Sequence, residues 1–151
     1  LRNLMELYLH DFSEMDGPDI DPRGRFGYPP LRRYWREAGR FPFLVRADGK
    51  LAGFALLKRG TCFPDREPAA MQVAEFFVLR KYRRKGVGAQ ATRQLFDRFP
   101  GRWEVSEIVA NTAAHAFWRK VIGEYTGGNF NDVFLDNERW RGPVQVFESP
   151  G

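Results

Sequence analysis

Cysteine is almost missing from this sequence. Cys62 is alone among 151 residues, so no intrachain disulfide can form, and with no signal-peptide pattern at the start the chain reads as one for a reducing, cytoplasmic setting. Long apolar runs are missing too: none approaches the ~18 residues of a membrane span, so no membrane partner is expected. No stretch repeats itself, is low in complexity or is long enough to act as a linker, which leaves residues 1 to 151 as one domain. Cys62 and His115 have no partners at metal-ligand spacing, so no metal is expected. What remains is 43% hydrophobic and 28% charged residues, the composition of a soluble globular chain. At this length folding buries roughly 70% of the surface of the unfolded chain, enough for a real core.

The formal net charge of +5 is unevenly spread. Residues 1 to 30 carry Glu6, Asp11, Glu14, Asp16, Asp19 and Asp21 against three arginines, while Arg80, Lys81, Arg83, Arg84 and Lys85 crowd into six positions. A protein that coats nucleic acid carries a broader basic stripe. One dense cluster suits a single polyanionic group better.

Apolar spacing orders the elements. Leu1, Leu4, Met5, Tyr8 and Leu9 share one helical face over residues 1 to 12. Glycines and prolines break any period over 13 to 30, and a short helix is expected over 31 to 39, ended by Gly39. Two apolar runs flank Asp48-Gly49, a strong hairpin signal, and a third strand over 71 to 79 follows a loop from Pro64 to Pro68. A helix over 89 to 99 with Leu95, Phe96 and Phe99 inward, a strand over 103 to 111, a helix with Ala113, Phe117 and Val121 on one face, and strands over 131 to 136 and 142 to 149 complete the order. Such alternation predicts an α/β fold, a mixed sheet with helices on both faces.

The basic cluster runs straight into Gly86-Val87-Gly88 and then a helix. A strand, a glycine-rich turn and a helix N-terminus together present unpaired backbone N–H groups, where the helix dipole also favours anions. Neither the GxxxxGK[ST] nor the GxGxxG spacing is there, so a diphosphate held in another way is expected.

Arg83-x-x-Gly86-x-Gly88, preceded by the strand "AEFFVL" and Tyr82, resembles the acyl-CoA pyrophosphate loop of the GCN5-related N-acetyltransferase (GNAT) family, whose pattern is Gln/Arg-x-x-Gly-x-Gly/Ala. "NTAAHAFWRKVIG" is similar to that family's second cofactor segment, and the resemblance runs from about Phe43 to Gly123. It implies a mainly antiparallel, twisted sheet whose central strands splay, with acetyl-CoA as co-substrate in the opening between "AEFFVL" and "WEVSEIVAN". Phe76, Phe77 and Val78 match the strand positions that hold the pantetheine arm and acetyl carbonyl. Arg83, Arg84, Lys85, Gly86, Val87, Gly88 and Ala89 match the pyrophosphate loop, Asn111 the cofactor-binding asparagine, and Phe117 the aromatic of the following helix. The family usually opens with a strand, which would precede Leu1.

The chemistry so implied is attack of a primary amine, on a small molecule or peptide, on a thioester. It needs a base and donors for an oxyanion. A backbone N–H near Phe77 or Val78 would serve as donor; Glu75, then Glu107 on the opposite strand, are the candidate bases. Trp118 stands where the family often has a tyrosine that protonates the leaving thiolate. A thiol pKa of about 8.5 makes that anion a tolerable leaving group without an acid. Aromatics Phe26, Tyr28, Tyr34 and Trp35, with acids such as Asp11, Glu14 and Asp16, are expected around the acceptor and would favour a cationic amine. The competing readings are an acyl-CoA sensor without turnover and a basic-patch module for RNA. The second lacks the interleaved aromatics that stack bases. A homodimer through the final strands is a further expectation.

Overall fold

The computed structural model describes residues 1–66 and 69–151, so residues 67 and 68 of the expected Pro64-to-Pro68 loop lie outside it. Helix α1 (Arg2–Phe12) comes first, then a 3-10 segment (Pro29–Trp35), strands β1 (Arg40–Ala47), β2 (Lys50–Gly60) and β3 (Ala70–Val78), a 3-10 turn (Arg80–Tyr82), helix α2 (Val87–Arg98), β4 (Gly101–Ser106), α3 (Thr112–Thr126), β5 (Asn131–Asp136) and β6 (Arg141–Ser149). They build one mixed sheet in the order β1-β2-β3-β4-β6-β5. Among the described residues only the β3–β4 pair is parallel.

The β1–β2 hairpin turns at Asp48 and Gly49, whose φ values of 51° and 77° are the left-handed pair of a type I′ turn. From Ala52 to Leu57 every residue of β2 is buried, because layers cover both faces of the sheet. On one face Leu95 and Phe96 of α2 and Trp118, Val121 and Ile122 of α3 pack on Leu57, Met71, Val73, Trp103 and Phe147. On the other, Met5 of α1 and Tyr34 of the 3-10 segment pack on Phe54, Leu56 and Phe77.

Three expectations change. The helix placed at 31 to 39 is a 3-10 segment starting at Pro29, where two prolines suit a first turn and Leu31 and Tyr34, three apart, are the anchors. The inward stripe of α3 runs through Ala114, Trp118, Val121 and Ile122, and Ala113 is exposed. The strand expected to reach residue 111 ends at Ser106, because β3, its neighbour on one side, has by then diverged.

That divergence has a local cause. The β3–β4 ladder holds only Met71, Gln72 and Val73 opposite Trp103, Glu104 and Val105. Across the other edge Leu57 pairs with Val73 and Leu56 with Glu75, which leaves Ala74 as an extra residue, a β-bulge. Val73 packs on the α2/α3 side and Ala74 on the α1 side, and beyond them Phe76 and Phe77 alternate again. An extra residue reverses the side-chain alternation. Glu75 is thereby turned toward α1.

Candidate active site

A cavity of about 830 Å³ occupies the opening between β3 and β4. Glu75, Tyr8 and Tyr28 line it on the α1 face, Trp118, Ala114 and Asn111 on the α3 face. The opening therefore passes through the sheet, and a ligand entering on one face can meet another from the opposite face.

Glu75 is held by two phenols. Tyr8 donates to Oε2 in a short hydrogen bond and Tyr28 donates to Oε1 at 3.1 Å. Burial pushes the Glu75 carboxyl above its usual value, opposed by these two bonds and by the charge of Lys58. Burial and the Glu75 charge push both phenols upward, so they stay protonated as donors. Tyr8 was legible as a core position of α1 and Tyr28 as one of the early aromatics. Nothing local in the sequence pairs either with Glu75.

Glu107 lies one residue beyond β4, its N–H donating to the Pro143 carbonyl at 3.2 Å. It is 4% exposed, and neither carboxyl oxygen has a partner at hydrogen-bond geometry among the described residues. Burial pushes it up to about 8, the Gln145 amide beside it offsetting part of the rise and Asp132 adding to it. The Nε2 of Gln145 is already bonded to Asp132 at 2.9 Å. Glu107 is thus mostly protonated at neutral pH.

The glycine-rich turn has the geometry of an anion cradle. Gly86 sits at φ 80° as N-cap of α2, with no side-chain cap and open space where a Cβ would point. Gln90 is the first residue whose N–H closes a helical bond, onto the Gly86 carbonyl at 3.0 Å, which leaves the N–H groups of Val87, Gly88 and Ala89 to a ligand or solvent. Arg84 holds φ 59°, a left-handed conformation costing a side-chain-bearing residue roughly 1–2 kcal/mol. Gly88 serves packing: a Cβ there would stand 3.3 Å from Phe117 Cζ.

Of the cations, Arg84 and Lys85 are exposed at this turn. Arg83 is folded back, its Nε donating to the Val78 carbonyl at 2.7 Å and its Nη2 to Asp11 at 2.7 Å. Asp11 also takes Arg80 at 2.8 Å. Some burial opposes ionisation of Asp11, but the Arg83 and Arg80 bonds outweigh it and hold the carboxyl below its usual value. The N–H of Leu79 bonds back to Ala52 of β2 at 2.7 Å; by the period-two alternation the backbone groups of Phe76 and Val78 face the opening and those of Phe77 face β2. Asn111 caps α3, its side chain accepting from the Ala114 N–H at 3.1 Å. The Phe76 ring lies edge-on to Trp118 (centroids 5.2 Å) and stacked on Phe117 (6.0 Å).

The acids expected around the acceptor are elsewhere. Asp11 is committed to Arg80 and Arg83, while Glu14 and Asp16 are exposed and outside the cavity. The cavity wall holds cations instead, Lys58, Arg40 and Arg139 among them. A second buried carboxyl, Glu104 of β4, has a structural place: it takes Thr61 Oγ1 and the Cys62 N–H, each at 2.7 Å, and pairs with Arg102. Among the described residues no helix is long and apolar enough to cross a membrane, and no group of His, Cys, Asp and Glu is placed to hold a metal ion.

In fold the chain is similar to an acetyltransferase from Thermus thermophilus, with a TM-score of 0.69 at 16% identity over 97% of this chain and 90% of that one. It is similar also to the Bacillus subtilis N-acetyltransferase YlbP in complex with coenzyme A (TM-score 0.51, 18% identity, 71% of this chain and 66% of that one). The same holds for AtaTR bound with AcCoA (TM-score 0.53, 18% identity, 79% and 73%). At such identities the likeness is one of fold. The chain matches no curated protein sequence. The model of the acetyltransferase (GNAT) family matches residues 1–123, a stretch that runs from α1 through the bulged strand, the glycine turn and most of α3, and the chain belongs to that family.

Proposed function

We propose that the chain moves an acetyl group from acetyl-CoA to a primary amine by direct attack on the thioester. The observation that carries this reading is the bulge at Ala74, which opens the sheet and turns the raised carboxyl of Glu75 into the opening. Acetyl-CoA, when bound, supplies an activated acetyl group. The similar folds with coenzyme A or AcCoA bound support that choice of donor, as do the open Gly86 turn and the free N–H groups of α2.

The chain's own residues have separate tasks. The N–H groups of Val87, Gly88 and Ala89, with Arg84 and Lys85 beside them, bind the diphosphate. The backbone of Phe76 and Val78 aligns the pantetheine arm and offers an N–H to the thioester carbonyl, a donor of the kind that stabilises developing negative charge. Asn111 and Phe117 border the arm from α3. Glu75 takes the proton of the acceptor ammonium, directly or through water, and burial, which raises its pKa, makes it a stronger base than an exposed glutamate. Glu107 keeps its own proton at neutral pH and ranks second. Trp118 holds no transferable proton for sulfur, so the thiolate leaves unassisted by that position.

Calorimetric titration of acetyl-CoA and CoA into the chain and into Gly86→Trp tests the reading. Micromolar binding that the folded variant loses is the expected result. A folded wild-type chain that binds neither compound overturns it.

A further inference from the structure

The walls of the cleft state what the acceptor carries beside its amine. On β2, Phe54 and Leu56 face α1, so Lys58, two residues further along, faces α1 as well. Leu56 is opposite Glu75 and Lys58 opposite Gln72. Lys58 therefore stands beside Glu75 on the same wall, displaced by roughly 7 Å of strand. It is half-buried, lines the cavity and makes no ion pair with any described residue.

The neighbouring charges point the same way. Arg139 lines the rim and, among the described residues, its side chain reaches the carbonyls of Thr61 and Phe63, at 3.4 and 3.5 Å. Arg40 is shared between Glu37 and the face of the Tyr34 ring. Among the described residues the acids of the cavity are Glu75 and Glu107, and Glu107 is mostly protonated at neutral pH. A half-buried ammonium that feels Glu75 across the strand but makes no direct ion pair among the described residues is free to take a ligand carboxylate as its close partner.

We infer that the acceptor is a compact amino carboxylate, its amine at Glu75 and its carboxylate at Lys58, with Arg139 at the rim. The inference rests on the acetyltransferase reading of the same cleft and names its substrate class. Tyr8, Phe12 and Tyr28 in the cavity wall favour an aromatic or apolar side chain on that amino acid.

The test uses phenylalanine, phenylalaninamide and phenethylamine, which share a ring and an amine and differ at the carboxylate, with release of CoA thiol as readout. The quantity read is the ratio of kcat/KM for phenylalanine to that for its amide. Comparing this ratio between wild type and variant cancels differences in amine basicity and any change in Glu75. It is expected to fall about ten- to a hundredfold in Lys58→Gln, the loss typical of a hydrogen bond between charged groups, and to stay within a few-fold in Lys58→Arg. Arg139→Gln, at the exposed rim, supplies a second variant with a smaller fall in the same ratio. Calorimetry with acetyl-CoA shows independently that each variant is folded and binds the donor. An unchanged ratio in both glutamine variants, or faster turnover of phenethylamine than of phenylalanine by the wild type, overturns the inference. A chain that binds acetyl-CoA yet acetylates no amino acid overturns it too and leaves the acetyltransferase reading standing; failure to bind acetyl-CoA removes both.

Discussion

Tyr8 of α1 donates its phenol hydrogen to Oε2 of Glu75 on β3, across 67 positions of chain. Burial raises the carboxyl of the proposed base, and through this bond the helix that covers the sheet holds part of that rise back. Glu75→Gln removes the proton acceptor while keeping the shape. A fall in kcat of about 10²- to 10⁴-fold is expected, with acetyl-CoA affinity unchanged by calorimetry. In the wild type, kcat/KM should lose activity on the acid side through an ionisation above the ordinary glutamate value of 4.5.

Tyr8→Phe separates the hydrogen bond from the ring. The ring contacts with Phe54 and Phe77, at centroid distances of 5.6 and 5.7 Å, survive the change, so the stability loss should be about 1.5–3 kcal/mol, the worth of a hydrogen bond to a charged group. Because the Tyr8 bond lowers the Glu75 pKa, its removal raises it. The acid limb of the pH–rate profile should move to higher pH, and an unmoved limb would separate Tyr8 from the base.

Glu107 makes stability depend on pH. Its carboxyl titrates at about 8 in the folded chain against 4.5 unfolded, so between these values the folded state binds more protons. Stability is then fully present below the unfolded value and declines as pH rises toward 8. Thermal melts from pH 5 to 8 should show a falling Tm, and Glu107→Gln, which cannot ionise, should flatten the fall. A wild-type Tm that rises over this range would contradict the assignment.

Gly53 is where β2 lies hard against β3. A Cβ built there would stand 1.9 Å from the Phe77 carbonyl oxygen, a backbone atom that no rotamer change can move. Gly53→Ala should cost several kcal/mol through forced displacement of β3, read by chemical denaturation. Leu51→Ala, at an exposed position of the same strand, should change stability by less than about 1 kcal/mol.

Much of this was legible locally. Asp48-Gly49 marked the hairpin because few residue pairs adopt two left-handed conformations in succession. The amphipathic face of α1 announced its burial, and the arginine, glycines and asparagine at their spacing pointed to the family the chain belongs to. The bulge was not legible, since the strand "MQVAEFFVL" carries no glycine or proline to mark it and an inserted residue shows only against its partner strand. The partners of Asp11 were likewise hidden: acidic residues near the start looked available to a cationic acceptor, and the fold ties Asp11 to Arg80 and Arg83 instead.

By itself the sequence determined the elements, their order and the glycine turn at which an anion can be held, because hydrophobic period, turn chemistry and backbone freedom are properties of neighbouring residues. Tertiary structure alone decided which wall Glu75 faces, which phenols hold it and which cations surround the acceptor. Strand register and helix docking bring together residues dozens of positions apart, and the desolvation that raises a carboxyl exists only once those layers have closed over it.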